Sequence, residues 1–191
     1  MKHFCLLVAL FTFLPGIFVA TGSEAGEGRY ERSIQSVAIP DVVLVNHRGE
    51  KVRIKSLLET DEPVIVDFIY ATCTTICPIL SAGFANLQRK FGQEIEKVNL
   101  VSISIDPEND TPKAMGEYME RYQAKPGWDF LSGSRKDVDR VMKAFDAYFR
   151  DKMDHQPLNF IRSPGDGKWL RLYGLMSSSD LINELQKMRV K

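Results

Sequence analysis

The run from Pro63 to Pro78 constrains this chain more than any other stretch. Val64-Ile65-Val66-Asp67-Phe68-Ile69-Tyr70 is nearly continuous in apolar residues, the composition of a central strand covered on both faces. Ala71-Thr72-Cys73-Thr74-Thr75-Ile76-Cys77-Pro78 follows at once, and Leu80, Phe84, Leu87 and Phe91 then recur along one face of a helix. Both cysteines therefore belong to a strand-to-helix turn. Helical residues four apart share a face with Cα atoms ~6 Å apart, which a disulfide tolerates. The same two sulfurs could also converge on one soft metal ion. The N–H groups of a helix N-terminus favour thiolate, which is both nucleophile and ligand. Pro78 suits an early helical position, where its missing N–H costs little.

The cysteine count sharpens this reading. Of Cys5, Cys73 and Cys77, the first lies in an N-terminal segment of its own kind. Met1-Lys2-His3 is short and basic, Phe4 to Ala20 carries no charge, and Ala20-Thr21-Gly22 or Ser23-Glu24-Ala25 offers small residues for cleavage. Residues 1–22 thus read as a secretory leader. The alternative is a retained anchor through residues 4–20, although that run is marginal for ~30 Å of hydrocarbon. Either reading exports the folded part. In an oxidising compartment a close pair can form a disulfide, but one spanning four residues staples little, because loop-closure entropy grows with loop length. The pair therefore reads as chemistry rather than scaffold. Zinc is a poor fit, since a structural site wants four ligands and there is no second pair. The bland alternative is two small, inert core residues.

The rest of the 191-residue chain reads as one domain. Residues 23–36, polar and glycine-bearing, read as a flexible lead-in. Val42 to Val45, a turn at Asn46-His47-Arg48-Gly49, and Val52 with Ile54 read as an N-terminal β-hairpin. Val98 to Ile105 reads as a second buried strand. Asp110-Thr111-Pro112 opens a helix to about Tyr122 with a capping residue before proline. Phe130-Leu131 reads as a short strand, and Val138, Val141, Met142, Phe145 and Phe149 as the next helix. Leu158 to Arg162, a turn at 164–167, and Trp169 to Tyr173 form a second hairpin, and Leu181, Leu185 and Met188 mark a closing helix. Strand, crossover helix and strand give a parallel pair, to which hairpins add antiparallel edges. The fold class is therefore α/β: residues 37–191 form a thioredoxin-like mixed sheet flanked by helices, with the N-terminal hairpin attached. Lys+Arg equals Asp+Glu at 25 each, which gives no reason to propose nucleic acid as a partner.

Three histidines are present. His3 belongs to the leader, and His47 reads as a solvated turn residue. His155 lies in a loop between helix and strand. A lone loop histidine is usually bland, but here the cysteines lack a third partner. Cu(I) prefers thiolates and imidazole also suits copper, so Cys73, Cys77 and His155 would complete a three-coordinate site.

These residues carry a resemblance. The run Val66 to Pro78, an apolar strand ending in Cys-x-x-x-Cys-Pro, resembles the Sco/SenC family motif. Val101 to Pro112, a strand followed by Asp-Pro-Glu-x-Asp-Thr-Pro, resembles the family's second block. His155 with Pro164 nine residues later resembles the third, although Gln156-Pro157 stands where the family often has small hydroxyl residues. The resemblance covers about residues 36–188. It implies a thioredoxin-like fold and copper, as Cu(I) or Cu(II), held by Cys73, Cys77 and His155. It also implies Asp106 near the site, and a role as an exported metallochaperone that assists the copper centre of cytochrome c oxidase, with an oxidase subunit as the copper-receiving partner. The expected location is the periplasm, or the periplasmic face of the inner membrane. Apart from the family, Asp106 ends a strand at the site edge of the sheet, and capping the following turn would explain it equally well.

A second reading uses the same thiols differently. As a thiol-disulfide reductase, the chain would cycle Cys73 and Cys77 as a redox-active pair and keep a partner's copper-ligand cysteines reduced. Copper binding needs His155, whereas disulfide exchange does not strictly. A peroxidase reading of Thr74-x-x-Cys77 fails because Tyr70 stands where its proline should be.

Overall fold

The computed structural model describes residues 30–91, 98–162, 164 and 167–189. The leader, the lead-in up to residue 29 and part of the 164–167 turn lie outside them. Among the described residues no helix is long and apolar enough to cross a membrane.

Eight strands form one sheet in the order β1-β8-β7-β4-β5-β6-β2-β3. They are β1 (Tyr30–Ser36), β2 (Val43–Asn46), β3 (Lys51–Arg53), β4 (Val64–Ile69), β5 (Asn99–Ser104), β6 (Trp128–Ser132), β7 (Leu158–Arg162) and β8 (Lys168–Gly174). The five α-helices are α1 (Ile54–Leu58), α2 (Cys77–Phe91), α3 (Pro112–Arg121), α4 (Arg135–Ala144) and α5 (Ser178–Arg189). β4 pairs parallel with β5, and β5 with β6, whereas every other pairing is antiparallel. All six β4 residues are buried, as a strand with helices on both faces requires. This is the thioredoxin-like mixed sheet that the sequence predicts, with the N-terminal hairpin β2–β3 in place against β6.

Side-chain alternation sorts the two faces. On one, Phe84 of α2 packs edge-on against Trp128, and Tyr118 of α3 against Phe130, both rings from β6. On the other, Phe68 of β4, Phe160 of β7 and Trp169 of β8 gather around Phe145 at the end of α4, with ring centroids 5.0–5.8 Å apart.

Four local expectations are corrected. Residues 30–36, expected as part of the flexible lead-in, form edge strand β1 on β8. Tyr30 Oη and Arg32 Nε clamp this strand by donating to the buried Glu184 carboxylate of α5, each at 2.9 Å. Ile54 begins α1 rather than ending a strand. Helix α4 stops at Ala144, before Phe149, because Asp146 takes a positive φ of 52° and the Ala147 N–H closes back on the Met142 carbonyl. That is a left-handed helix end made without glycine. His47 is not solvated: the Phe130 N–H donates to its Nδ1 at 3.3 Å, because the hairpin packs against β6.

Candidate metal centre

Because β4 and β5 run parallel and β7 antiparallel to them, three connections meet at one sheet edge. These are the loop after β4, the loop after β5 and the segment leading into β7. The carboxyl ends of parallel strands are where such folds place their sites. Cys73, Cys77 and His155 meet there with their ligand atoms all within 4.8 Å of one another. His155 Nε2 lies 3.2 Å from Cys77 Sγ and 3.7 Å from Cys73 Sγ. All three are buried, at 0 % exposure for Cys77, 5 % for Cys73 and 8 % for His155, and both cysteines are free thiols.

The cysteines do not meet as helical neighbours. Helix α2 begins at Cys77, so Cys73 lies in the preceding loop, where its N–H donates to the Tyr70 carbonyl at 3.1 Å. Thr72, Thr74 and Thr75 lie in this stretch, and threonine's stiff χ1 and competing hydroxyl favour non-helical backbone. The loop curls so that the Cys77 N–H donates to Cys73 Sγ at 3.4 Å. The first amide of α2 thus points at a sulfur, as the helix N-terminus predicts.

This placement splits the two thiols. Burial acts against ionising Cys73. Hydrogen bonds from the Cys77 and Thr75 side chains and from the backbone outweigh it, and hold Cys73 below the usual thiol range. Burial first, then the hydrogen bond with Cys73, pushes Cys77 upward. Cys73 is therefore the group that ionises first. Burial also lowers the His155 pKa and keeps the ring neutral.

The tautomer of His155 follows from its neighbours. Nδ1 lies 2.7 Å from the Lys152 carbonyl, which can only accept, so Nδ1 carries the proton. Nε2 is then left with a lone pair aimed at the sulfurs. A backbone partner that fixes the distal nitrogen is the usual outer-shell arrangement of a ligating histidine.

The loop after β5 braces both sides of this cluster. The Asp110 carboxylate accepts from the Ala71 N–H at 3.1 Å and from Ser104 Oγ at 2.5 Å, which pins the start of the cysteine loop. Burial pushes its pKa up to about 6, against those two hydrogen bonds. Asp106 accepts from Lys152 Nζ at 2.5 Å and from Asn109 Nδ2 at 3.0 Å. It thereby holds the residue whose carbonyl orients His155. The near-site expectation for Asp106 thus meets a carboxylate that touches no donor of the cluster and acts through Lys152. Asp110 is not the helix cap, since Thr111 Oγ1 caps α3 by accepting from the Ala114 N–H at 3.3 Å.

Two neighbours escape the sequence reading. Tyr70 packs its ring edge against His155 with centroids 5.1 Å apart, and Lys152 Nζ lies 5.2 Å from the centre of the same ring. Tyr70 had a signal, as the last aromatic before the cysteine loop. Lys152 had none beyond proximity to His155. Beneath the site, the buried β4 residue Asp67 has no well-formed hydrogen bond at either oxygen, and burial pushes its pKa up to about 7 against a weaker opposing pull from the Ser102 hydroxyl.

Comparison with known proteins agrees with this geometry. The SCO1/SenC family model matches residues 33–188. The SCO1 protein homolog of Bacillus subtilis is 33% identical over 152 residues, covering 74% of this chain and 77% of that protein. The structure of Bradyrhizobium japonicum ScoI with copper bound is similar at 27% identity and a TM-score of 0.66, over 79% of this chain and 99% of that one. BsSco, described as a Sco-family cytochrome c oxidase assembly protein with a disulfide switch, is similar at 29% identity and a TM-score of 0.67, over 82% of this chain and 95% of that one. With the family model spanning nearly the whole described domain, this chain belongs to the SCO1/SenC family.

Proposed function

We propose that this chain is an exported copper metallochaperone. It holds one copper ion between Cys73 Sγ, Cys77 Sγ and His155 Nε2 and delivers it to a cytochrome c oxidase subunit. One observation carries the reading: two thiols and an imidazole lone pair converge within 4.8 Å in a buried cluster. The donor set suits copper, because thiolates are soft and imidazole serves both copper states. The neutral His155 and the lowered Cys73 ease loading, since a metal must displace protons from its ligands. Relatives with copper bound, and one described as an oxidase assembly protein, support the cargo and the destination. The charge-free segment from Phe4 to Ala20 supports export to the periplasm or its membrane face.

The test is titration of the reduced domain with Cu(I) and with Cu(II), wild type against His155→Ala. Losing one of three ligands should weaken binding by about 1–5 kcal/mol, roughly fivefold to several-thousandfold. Cu(II), the harder ion, should suffer more. Unchanged binding of both states removes His155 from the site.

The split between the two thiols supports a second reading, a reductase. Cys73 as thiolate attacks one sulfur of a partner's disulfide, and the other leaves as thiol. Cys77 then attacks the mixed disulfide, closes Cys73–Cys77 and releases the second partner thiol. Two electrons and two protons pass to the partner. His155→Ala should leave this exchange working, which separates the two readings.

A further inference from the structure

Met153 lies two residues before His155 in the 3-10 turn Lys152–Asp154. At 66 % exposure it is the most exposed large apolar side chain among the described residues, whereas Met115, Met119, Met142 and Met176 are buried in the core. Its thioether has a polar neighbour: the Tyr70 hydroxyl donates to Met153 Sδ across 3.5 Å. The ring of the same residue packs edge-on against His155, with centroids 5.1 Å apart. The Tyr70 side chain thus joins an exposed soft sulfur to the buried His155.

A phenol has one proton to give. The single Tyr70 hydrogen bond leaves the exposed Met153 thioether a lone pair for a further partner. A thioether is soft enough for Cu(I). It carries no charge, so it holds the ion less tightly than a thiolate. Those are the properties of a ligand used in passing.

We infer that Met153 Sδ is an accessory Cu(I) ligand at the mouth of the Cys73–Cys77–His155 site, taking the ion as a buried donor releases it. This rests on the copper reading above. Copper stays Cu(I) throughout; one Cu–S bond forms as a bond to a buried donor breaks, and no electron moves.

Transfer of Cu(I) from the loaded domain to a small chelator, bicinchoninate, tests it. A small acceptor has no protein surface to dock on, so a change reports the ligand path. Met153→Leu keeps the shape and removes the sulfur. It should slow release by roughly tenfold, about 1.4 kcal/mol on the barrier, while equilibrium affinity stays within about twofold. Selenomethionine-labelled Cys73→Ser, loaded with Cu(I), should trap the passing state and show a copper–selenium scattering path that Met153→Leu abolishes. Equal release rates, or no selenium path in a copper-loaded Cys73→Ser protein, overturns the role of Met153. A wild-type domain that takes up no Cu(I) instead overturns the copper reading itself.

Discussion

Replacing Asp67 with asparagine tests the electrostatics beneath the cysteines. The Asp67 carboxyl is fully buried in β4, where neither oxygen forms a good hydrogen bond and the Ser102 hydroxyl offsets burial only in part. Burial raises its pKa from 3.8 to about 7 in the folded protein. A carboxyl whose folded pKa lies above its unfolded value costs nothing below pH 3.8, where both states are protonated. As pH rises, the unfolded chain gives up its proton first, and folding stability falls until the folded carboxyl also ionises near pH 7. A gap of about three pKa units at 1.36 kcal/mol each is about 4 kcal/mol. That is a large share of the roughly 5–15 kcal/mol that holds an ordinary domain folded. An asparagine side chain at this position does not titrate. It brings its own constant cost, because a buried amide also wants partners, but that offset cancels when two pH values are compared. Urea unfolding of metal-free, reduced Asp67→Asn and wild type at pH 4 and pH 8 reads the effect. Relative to wild type, Asp67→Asn should gain about 4 kcal/mol between the two. A stability difference independent of pH would show that Asp67 ionises normally in the fold and would refute the reasoning.

Two further outcomes are expected. Asp106→Asn weakens the hold on Lys152 Nζ and so loosens the carbonyl that orients His155. It should reduce copper affinity about tenfold, and Lys152→Met should do the same by the same route, as competition against a chelator would show; an unchanged affinity in both would deny the brace. Mild oxidation of the metal-free domain should close Cys73–Cys77. Alkylation before and after reduction, read by mass spectrometry, should then differ by two labels; both thiols labelled before reduction would deny the closure.

The elements read correctly from sequence are those whose pattern is local. The continuous apolar run of β4, the helical spacing of α2 and the Leu158–Arg162 strand announce themselves, because burial on both faces or along one stripe leaves a periodic trace. Strand β1 leaves none: Tyr30-Glu31-Arg32-Ser33-Ile34-Gln35-Ser36 is mostly exposed. Its order comes from backbone pairing with β8 and the clamp on Glu184 in α5, partners 132 to 154 residues away that local composition cannot show. The end of α4 is hidden for a related reason, since a left-handed Asp146 does the work sequence assigns to glycine.

At the site, the candidate donors can be read along the chain. Two cysteines at a strand-to-helix turn and one unclaimed histidine follow from residue type and spacing, and the family motif adds Asp106. Their arrangement comes from the fold. It moved Cys73 off the helix and under its first amide, turned Nε2 of His155 inward by giving Nδ1 a carbonyl, and set Asp110 and Asp106 as braces on two separate loops. It also left Met153 outside and Asp67 beneath. The physical reason is range. Periodicity and turn chemistry act over a few residues, and so do the bonds that orient His155 and favour the Cys73 thiolate, but those bonds are held in place because Asp110 reaches Ala71 39 residues back, Asp106 reaches Lys152 46 residues on, and His155 meets the cysteines 78 and 82 residues away, where the sheet brings three loops to one edge.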